Sequence, residues 1–424
     1  MTRVDLGPAF NPFCDPSLNA PGPLLERARA ESPVFFSPVL SSFVVTRYDD
    51  VVTVLRDPET FSSRDILDPG PFLAPEAAQL LVDNDVPAEG TLIGLDPPAH
   101  TRLRKMLAKA FTPSRVAGME DRIRALANGL VDGFAVDGET ELLQRFAFPL
   151  PLTVVIRLIG IPDDDLDDCL HWCKDWAELA RIAAQGGHPD EQIRLAQSVV
   201  AWHRYVRDLI AIRTEGPRDD LVSALLAVRL EEPGELTERE LLSLIPGLVF
   251  AGHETTANLI GNALRHLLSA PRLWTKIVRK PELAERAVEE TLRFDAPIFG
   301  MPRVVTRETI LGGLPIPAGA RLYLSYFSAN HDEAHYSCPA RFDPDRTVET
   351  PHLAFGRGIH FCIGAPLARL EGRIALEVLG QRLPDLELLD ETHRYQPHFF
   401  LRGLEQVRVR WDPTAACLSA GFKP

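Results

Sequence analysis

The sequence predicts a mainly α-helical fold with small β-sheets set to one side. Three observations predict it. Helical hydrophobic patterns dominate the chain, short β-type segments flank them, and no internal repeat or low-complexity linker divides the 424 residues. We therefore expect a single domain, residues 1–424. Its helical body covers about 97–295 and 365–380, and its β-rich portions cover about 30–60, 298–325 and 398–411.

Individual elements can be placed within this frame. Residues 34–36 and 43–46 predict a hairpin, and a short helix over 49–56 follows it. Residues 61–95 are proline-rich and carry scattered apolar side chains, so we expect an irregular apolar loop there. A loop of this length is often functional.

Composition excludes several classes of protein. Basic residues number 45 against 59 acidic ones, a net charge of −14, which argues against general nucleic-acid binding. Six irregularly spaced cysteines do not suggest a disulfide scaffold. No run approaches the ~20 apolar residues of a membrane span, and no signal-peptide core is recognisable. We expect a cytoplasmic protein that does not bind membranes.

The stretch 355–364, Phe-Gly-Arg-Gly-Ile-His-Phe-Cys-Ile-Gly, is the most informative part of the chain. Its three glycines permit tight backbone turns around Cys362. From about residue 365 the pattern is helical, with Pro366 acceptable in the first turn. Cys362 therefore precedes the positive end of a helix, where the thiolate form of its sulfur is favoured.

A second pattern lies in a long helix predicted over 237–269. Thr237 and Glu240 have the spacing of a capping box, and the Pro-Gly pair at 246–247 should disturb the helix in its middle. The small step Ala251-Gly252 would let a flat ligand lie against the backbone. The adjoining Glu254-Thr255 pair offers an acid and a hydroxyl for proton transfer. A zinc site is rejected, because position 257, where a second histidine would stand, is alanine.

Two further pairs share a helical face. Glu290 and Arg293 are three residues apart and can form an ion pair. His100 and Arg104 are four apart, on a helix that Asp96 is expected to cap, and could bind two carboxylates.

Together these patterns resemble the cytochrome P450 family, the haem-thiolate monooxygenases, and specifically its soluble bacterial members. The resemblance runs from about residue 48 to 411. It includes the family's haem-binding signature at 355–364, the step at 251–255, the Glu290/Arg293 pair and the stretch 341–346, Arg-Phe-Asp-Pro-Asp-Arg.

The resemblance implies haem b, iron protoporphyrin IX, as the cofactor and Cys362 as the axial ligand of its iron. Phe355 would pack beneath the porphyrin near the sulfur, in a turn that Gly356 allows and Gly364 completes. Four side chains would neutralise the haem propionates: His100, Arg104, Arg303 and His360.

It also implies roles away from the cysteine. Ala251 and Gly252 would border the oxygen pocket, while Glu254 and Thr255 would deliver protons to dioxygen. A structural set would support the region behind the haem: Glu290, Arg293 and Arg346.

The implied reaction inserts one atom of O2 into a small-to-medium apolar substrate, by hydroxylation or oxidative O-dealkylation. Electrons would come from NAD(P)H through a reductase and a ferredoxin, because the stretch after Cys362 is too short for a fused flavin reductase. We expect a monomer. A basic docking patch for the ferredoxin is predicted from Arg102, Lys105, Lys109, Arg357 and Arg369.

The substrate is less defined. Bulky and aromatic side chains predict an apolar pocket, which would suit an aromatic ether. Tailoring of a terpenoid or macrolide is the alternative. A haem-thiolate sensor without turnover and a peroxide-using enzyme also remain open. The predicted pocket residues are Phe72, Leu73, Leu92, Ile93, Leu248, Ile298, Phe299, Met301, Phe399 and Phe400.

Overall fold

The computed structural model describes residues 5–64, 66, 73–87, 91–185, 187–347, 350–390 and 392–414, so Phe72 lies outside the described residues. Helices dominate, as predicted. The α-helices are α1 (Leu6–Ala9), α2 (Gly22–Glu31), α3 (Tyr48–Arg56), α4 (Pro75–Asp83), α5 (Ala99–Ala110), α6 (Pro113–Ala117), α7 (Glu120–Asp132), α8 (Pro149–Ile159), α9 (Leu166–Gln185), α10 (Pro189–Glu215), α11 (Leu221–Glu231), α12 (Glu238–Leu268), α13 (Pro271–Arg279), α14 (Ala284–Phe294), α15 (Tyr326–Ala329) and α16 (Ala365–Arg382).

The strands are short and fall where the sequence predicts β structure, apart from three small additions at 61–62, 139–141 and 387–388. They are β1 (Val34–Ser37), β2 (Ser42–Val45), β3 (Phe61–Ser62), β4 (Glu139–Glu141), β5 (Gly300–Val305), β6 (Thr309–Leu311), β7 (Leu314–Ile316), β8 (Arg321–Ser325), β9 (Glu387–Leu388) and β10 (Arg408–Arg410).

The described residues cluster into two compact units, each assembled from separate stretches of chain. The first comprises Met1–Ser62, Val116–Pro151 and Thr255–Pro424. The second comprises Ser63–Arg115 and Leu152–Glu254. The expected single folding domain stays a prediction.

The three sheets that the described residues form all belong to the first unit. The largest has the order β1-β2-β8-β5-β3, with β2 and β8 parallel and the other pairs antiparallel. An aromatic core packs beside it, since Phe10, Phe35, Phe299, Tyr323 and Phe327 are all buried in one cluster. This packing fixes the chain around residue 299, where β5 begins.

The second unit is helical. One core cluster joins α4, α9 and α10 through Ala77, Leu179, Ile182, Leu195 and Val199. Helices of this kind gain most of their stability from such apolar contacts rather than from intrinsic propensity.

Three expectations of local structure need correction. Residues 75–83 form α4 inside the stretch expected to be irregular, because Pro75 occupies the first helical position and Glu76 the first turn. Asp96 does not cap α5. The residue two positions on is Pro98, which has no N–H to donate, and the Asp96 carboxylate accepts the Ser63 N–H at 2.8 Å instead.

The third correction concerns α12. It runs unbroken over 31 residues through Pro246, where a disturbance was expected. The turn around the proline is fully packed, with Leu242, Ile245 and Val249 at 3%, 1% and 0% exposure. This burial offsets the ~3 kcal/mol that an interior proline costs a helix. The capping box at its start is confirmed, with the Thr237 N–H donating to Glu240 at 2.8 Å and the Glu240 N–H to Thr237 at 3.2 Å.

No helix among the described residues is both long and apolar enough to span a membrane.

Candidate functional site

Cys362 is held in a tight backbone loop of the first unit. Its N–H donates to the Phe355 carbonyl at 2.9 Å, and the Gly356 N–H donates to the Leu353 carbonyl at 2.9 Å. Gly356 and Gly358 have φ values of 66° and 71°, a region that favours glycine. A Cβ on Gly358 would also lie 2.3 Å from the Leu55 carbonyl oxygen. The loop therefore depends on glycine for its path.

The helix α16 begins three residues after Cys362, as predicted. Pro366 stands in its first turn, and Gly364, the residue before the helix, offers no side-chain cap. A Cβ on Gly364 would lie 3.8 Å from the Cys362 Sγ, so the sulfur is close to this end of the helix. Free N–H groups and the positive end of the helix dipole favour a thiolate there.

The first unit also contains a buried ion pair between Glu290 and Arg293. Arg293 donates to Glu290 through Nη2 at 2.7 Å and Nε at 2.9 Å, and it also donates to the carbonyls of Asn330, Pro339 and Arg341. The pair is 3–4% exposed. Arg346 completes the set, with its Nε 3.4 Å from Glu290 Oε2.

Asn330 links that network to the cysteine loop, and sequence reasoning gave it no weight. It is fully buried, its carbonyl accepts from Arg293, and its Oδ1 accepts the Leu353 N–H at 2.7 Å. Nothing in the local sequence distinguishes this asparagine from a loop residue.

Arg303, a predicted propionate partner, is buried on β5 at 4% exposure and donates to the Pro302 carbonyl at 2.7 Å. Burial raises the pKa of the nearby Tyr326 hydroxyl, and the charge of Arg303 partly opposes that effect. The same hydroxyl lies 3.5 Å from where a Cβ on Gly356 would be. Tyr326, which the sequence did not identify, thus connects Arg303 to the cysteine loop.

His100 and Arg104 lie one turn apart on α5, in the second unit. His100 is 1% exposed. Burial, followed by the charge of Arg104, lowers the pKa of His100 to about 4. Beside these protein groups alone, His100 is therefore neutral near pH 7, and its predicted role toward an anion stays a prediction. Arg104 can bind an anion through its guanidinium group.

The predicted small-residue step divides into two different environments. Ala251 is exposed, although it lies in a helix whose neighbouring residue Val249 is fully buried. Gly252 faces α8 instead, because a Cβ there would lie 3.2 Å from Val155. Packing accounts for the glycine, and only Ala251 offers a small surface to a ligand.

Glu254 and Thr255 follow on the same helix. Burial raises the pKa of Glu254 to about 7. A carboxyl group with this pKa can gain and lose a proton near neutral pH. The adjacent Thr255 hydroxyl can donate and accept a hydrogen bond.

Two of the predicted pocket segments meet in the first unit. The Phe299 N–H donates to the Phe400 carbonyl and the Arg402 N–H to the Pro297 carbonyl, both at 2.7 Å, while Ile298 pairs with Leu401. Phe399 and Phe400 pack edge to face, their ring centroids 4.8 Å apart. Phe299 itself lies in the aromatic core, and Met301 is buried on β5.

The other described pocket residues belong to the second unit. Leu73 packs against the α4–α9–α10 cluster. Leu92 and Ile93 form a short 3₁₀ turn, with Ile93 38% exposed, and Leu248 is half-buried on α12.

The residues present suit a haem. A single cysteine sulfur at a helix N-terminus is a suitable axial ligand for iron, and Arg303 in the same unit carries a guanidinium group of the kind that binds carboxylates. Arg104, in the second unit, carries another. A cysteine loop of this kind, in a mainly helical fold with small sheets, is the arrangement expected of a haem-thiolate protein.

Similarity to known proteins identifies the family. The cytochrome P450 family model matches residues 278–383. Cytochrome P450 107B1 of Saccharopolyspora erythraea is 38% identical over 88% of this chain and 89% of its own. The mycinamicin IV hydroxylase/epoxidase of Micromonospora griseorubida is 37% identical over 87% and 89%. An intact type IV self-sufficient cytochrome P450 monooxygenase has a similar structure, with a TM-score of 0.92 and 34% identity over 99% of this chain, which spans 56% of that one.

The chain belongs to the cytochrome P450 family. It has the P450 fold and is a haem-thiolate monooxygenase that uses O2, an organic substrate and a redox partner. The fold class, the haem cofactor and the reaction class predicted from the sequence are confirmed. The alternative of a sensor without turnover is not retained.

Proposed function

We propose that Cys362 is the axial ligand of the haem iron. The observation that carries this assignment is the loop at 355–364, which holds the sulfur at the N-terminus of α16. When bound, the haem supplies the activation of O2 and its transfer to carbon. The Phe355 ring would lie beside the porphyrin, and Gly356 would permit the turn.

The propionates would be held by two kinds of group. Arg104 and Arg303 supply positive charge, and His100 supplies a hydrogen bond through its ring. His360, in the 3₁₀ turn Gly358–His360, is the fourth candidate. Family resemblance and the burial of His100 and Arg303 support the assignment.

Glu254 and Thr255 would move protons to the oxygen site. Glu254 can exchange a proton with water near pH 7 because of its raised pKa, and Thr255 can pass one on through its hydroxyl. Ala251, exposed one turn before Thr255, would leave room for the oxygen ligand, and Gly252 would hold the helix close to Val155.

The test of the ligand assignment is the absorption spectrum of the reduced, carbon-monoxide-bound protein. We expect the strongly red-shifted Soret band of thiolate ligation, and its loss in Cys362→Ala. Cys338→Ala is the matched control, because Cys338 is exposed and lies outside the loop. A globin-like band in the intact wild-type protein, or a red-shifted band that survives Cys362→Ala, would refute the assignment.

The substrate is proposed to be a small-to-medium apolar molecule, hydroxylated or O-dealkylated. The aromatic pair Phe399–Phe400, fixed beside Ile298 by backbone hydrogen bonds, supports an apolar and aromatic ligand.

A macrolide is the second candidate. It is favoured by the 37% identity to an enzyme named for mycinamicin IV. The two candidates separate in a spectral titration, because a substrate that displaces water from the iron shifts the Soret band. Saturable shifts with aromatic ethers and none with macrolides support the first proposal, and the reverse result supports the second.

Electrons are proposed to arrive from NAD(P)H through a ferredoxin reductase and a ferredoxin. Phe361, next to Cys362, is 42% exposed and is a candidate contact. Four of the five cations predicted for the docking patch are already ion-paired: Arg102 with Glu240, Lys105 and Lys109 with Glu232, and Arg369 with Glu289.

A ferredoxin that docks by charge should reduce the protein more slowly as salt is added, since exposed charges are screened over ~10 Å at 0.1 M salt. The measurement is the reduction rate with ferredoxin and reductase at increasing ionic strength. A salt-independent rate would mean that apolar contacts such as Phe361, rather than the cations, bind the partner.

A further inference from the structure

We propose that Arg369 is a positioning residue that acts on Cys362 through the Phe355 ring, and that Arg369 and Glu289 together set the reduction potential of the iron. The inference rests on the proposed role of Cys362 as axial ligand. It concerns a cation that sequence patterns assigned only to partner docking.

The contact with the cysteine loop is direct. The guanidinium carbon of Arg369 lies 4.6 Å from the centroid of the Phe355 ring, in the range of a cation–π interaction. The carbonyl of the same Phe355 accepts the Cys362 N–H at 2.9 Å. One residue therefore joins the Arg369 charge to the backbone that holds the sulfur.

Glu289 fixes the orientation of that charge. Its two carboxylate oxygens accept from Arg369 Nε at 2.6 Å and Nη2 at 3.1 Å, so the guanidinium plane is held at both ends. His352 Nε2 approaches the same carboxylate at 3.3 Å, and the His352 ring packs 5.8 Å from that of Phe355. His352 Nδ1 also accepts the Ala354 N–H at 3.3 Å, within the approach to the cysteine turn.

Glu289 is ionised at any working pH. Burial would raise the pKa of its carboxyl, but the hydrogen bonds from His352 and Arg369 outweigh burial and lower this pKa to about 2. The loop therefore lies beside a complete pair of opposite charges. In the folded protein the positive charge of Arg369 offsets the negative charge of Glu289, so removal of either one leaves the other uncompensated.

A role in stability alone and a role in setting the potential predict different results. Both side chains are about one-third exposed, 36% and 34%, and such pairs contribute little to stability. If the two charges set the reduction potential of the iron, their removal should shift that potential in opposite directions. Reduction adds one electron, so removal of the cation should disfavour the ferrous state and removal of the anion should favour it.

The experiment compares Arg369→Gln and Glu289→Gln in the haem-loaded enzyme, by spectroelectrochemical titration. Arg373→Gln is the matched control. Arg373 lies one turn further along α16 and pairs with Glu120 and Glu377 rather than with the loop. At the wild-type midpoint potential, we expect the ferrous-to-ferric ratio to fall at least about three-fold in Arg369→Gln, ~28 mV at 59 mV per ten-fold change for one electron.

The ratio should rise by a similar factor in Glu289→Gln and stay within about 1.5-fold of wild type in Arg373→Gln. Shifts of the same sign in the two variants, or shifts no larger than the control, would overturn the proposal. If Arg369→Gln does not retain haem, Glu289→Gln decides alone, since a fall or no change is incompatible with the proposal.

The carbon-monoxide spectrum of each protein separates this inference from the ligand assignment. Absence of the red-shifted band in the wild type would remove Cys362 as ligand and the inference with it. Presence of the band in every variant, with unmoved potentials, would refute only the role of Arg369.

Discussion

Replacement of Glu254 by glutamine should make the stability of the enzyme less dependent on pH. Burial raises the pKa of this carboxyl from 4.5 to about 7. Between those values the unfolded chain has released the proton while the folded protein keeps it, so the free energy of unfolding falls by about 1.4 kcal/mol per pH unit. The loss is complete above about pH 7. Glutamine carries no titrating proton, so the Glu254→Gln variant does not lose this stability as the pH rises.

The expected gain of Glu254→Gln over wild type is therefore about 2.5 kcal/mol larger at pH 8 than at pH 5. Urea unfolding of the haem-loaded proteins, followed by circular dichroism, measures it. Glu238→Gln, at the start of the same helix and 55% exposed, is the control and should show no such difference. An equal gain at both pH values, or the same increase in the control, would refute the argument that Glu254 is protonated in the folded enzyme.

Three further outcomes are expected. Thr255→Ala should keep haem and substrate binding but divert electrons to hydrogen peroxide, so product formed per NAD(P)H falls several-fold; unchanged coupling would remove Thr255 from the proton path. Gly358→Ala should lower the free energy of unfolding by ~2 kcal/mol or more, because Gly358 has a positive φ and its Cβ would meet the Leu55 carbonyl. Gly313→Ala, also at positive φ but in open space, should lower it by ~1 kcal/mol. Equal urea midpoints for the two variants would contradict this difference. Arg293→Lys should lower the free energy of unfolding by ~2–3 kcal/mol and retain less haem on gel filtration. An ammonium group cannot replace the bidentate contact with Glu290 and the three carbonyl contacts. A variant as stable as the wild type would contradict this prediction.

The features that local sequence could identify are those that depend on neighbours in the chain. The turn around Cys362 depends on glycines at 356 and 358, and the start of α16 on Pro366, so the sequence was sufficient for both. The capping box of α12 is equally local.

Contacts between distant residues left no such signal. Glu289 meets Arg369 from 80 positions away, and Asn330 reaches Leu353 across 23. Desolvation is also invisible in a sequence, so the lowered pKa of His100 and the raised pKa of Glu254 had no signal there. The continuity of α12 through Pro246 likewise depends on burial, which the sequence does not show.

The adjacent acids Glu289 and Glu290 make α14 a difficult segment to exchange between homologues. Glu290 binds Arg293 within the helix and Arg346 beyond it. Among the described residues, Glu289 binds His352 and Arg369, both further along the chain. A chimera with a crossover between residues 294 and 346 would inherit these acids from one parent and their distant partners from the other. Recombination libraries of this enzyme should therefore carry residues 284–369 as one block.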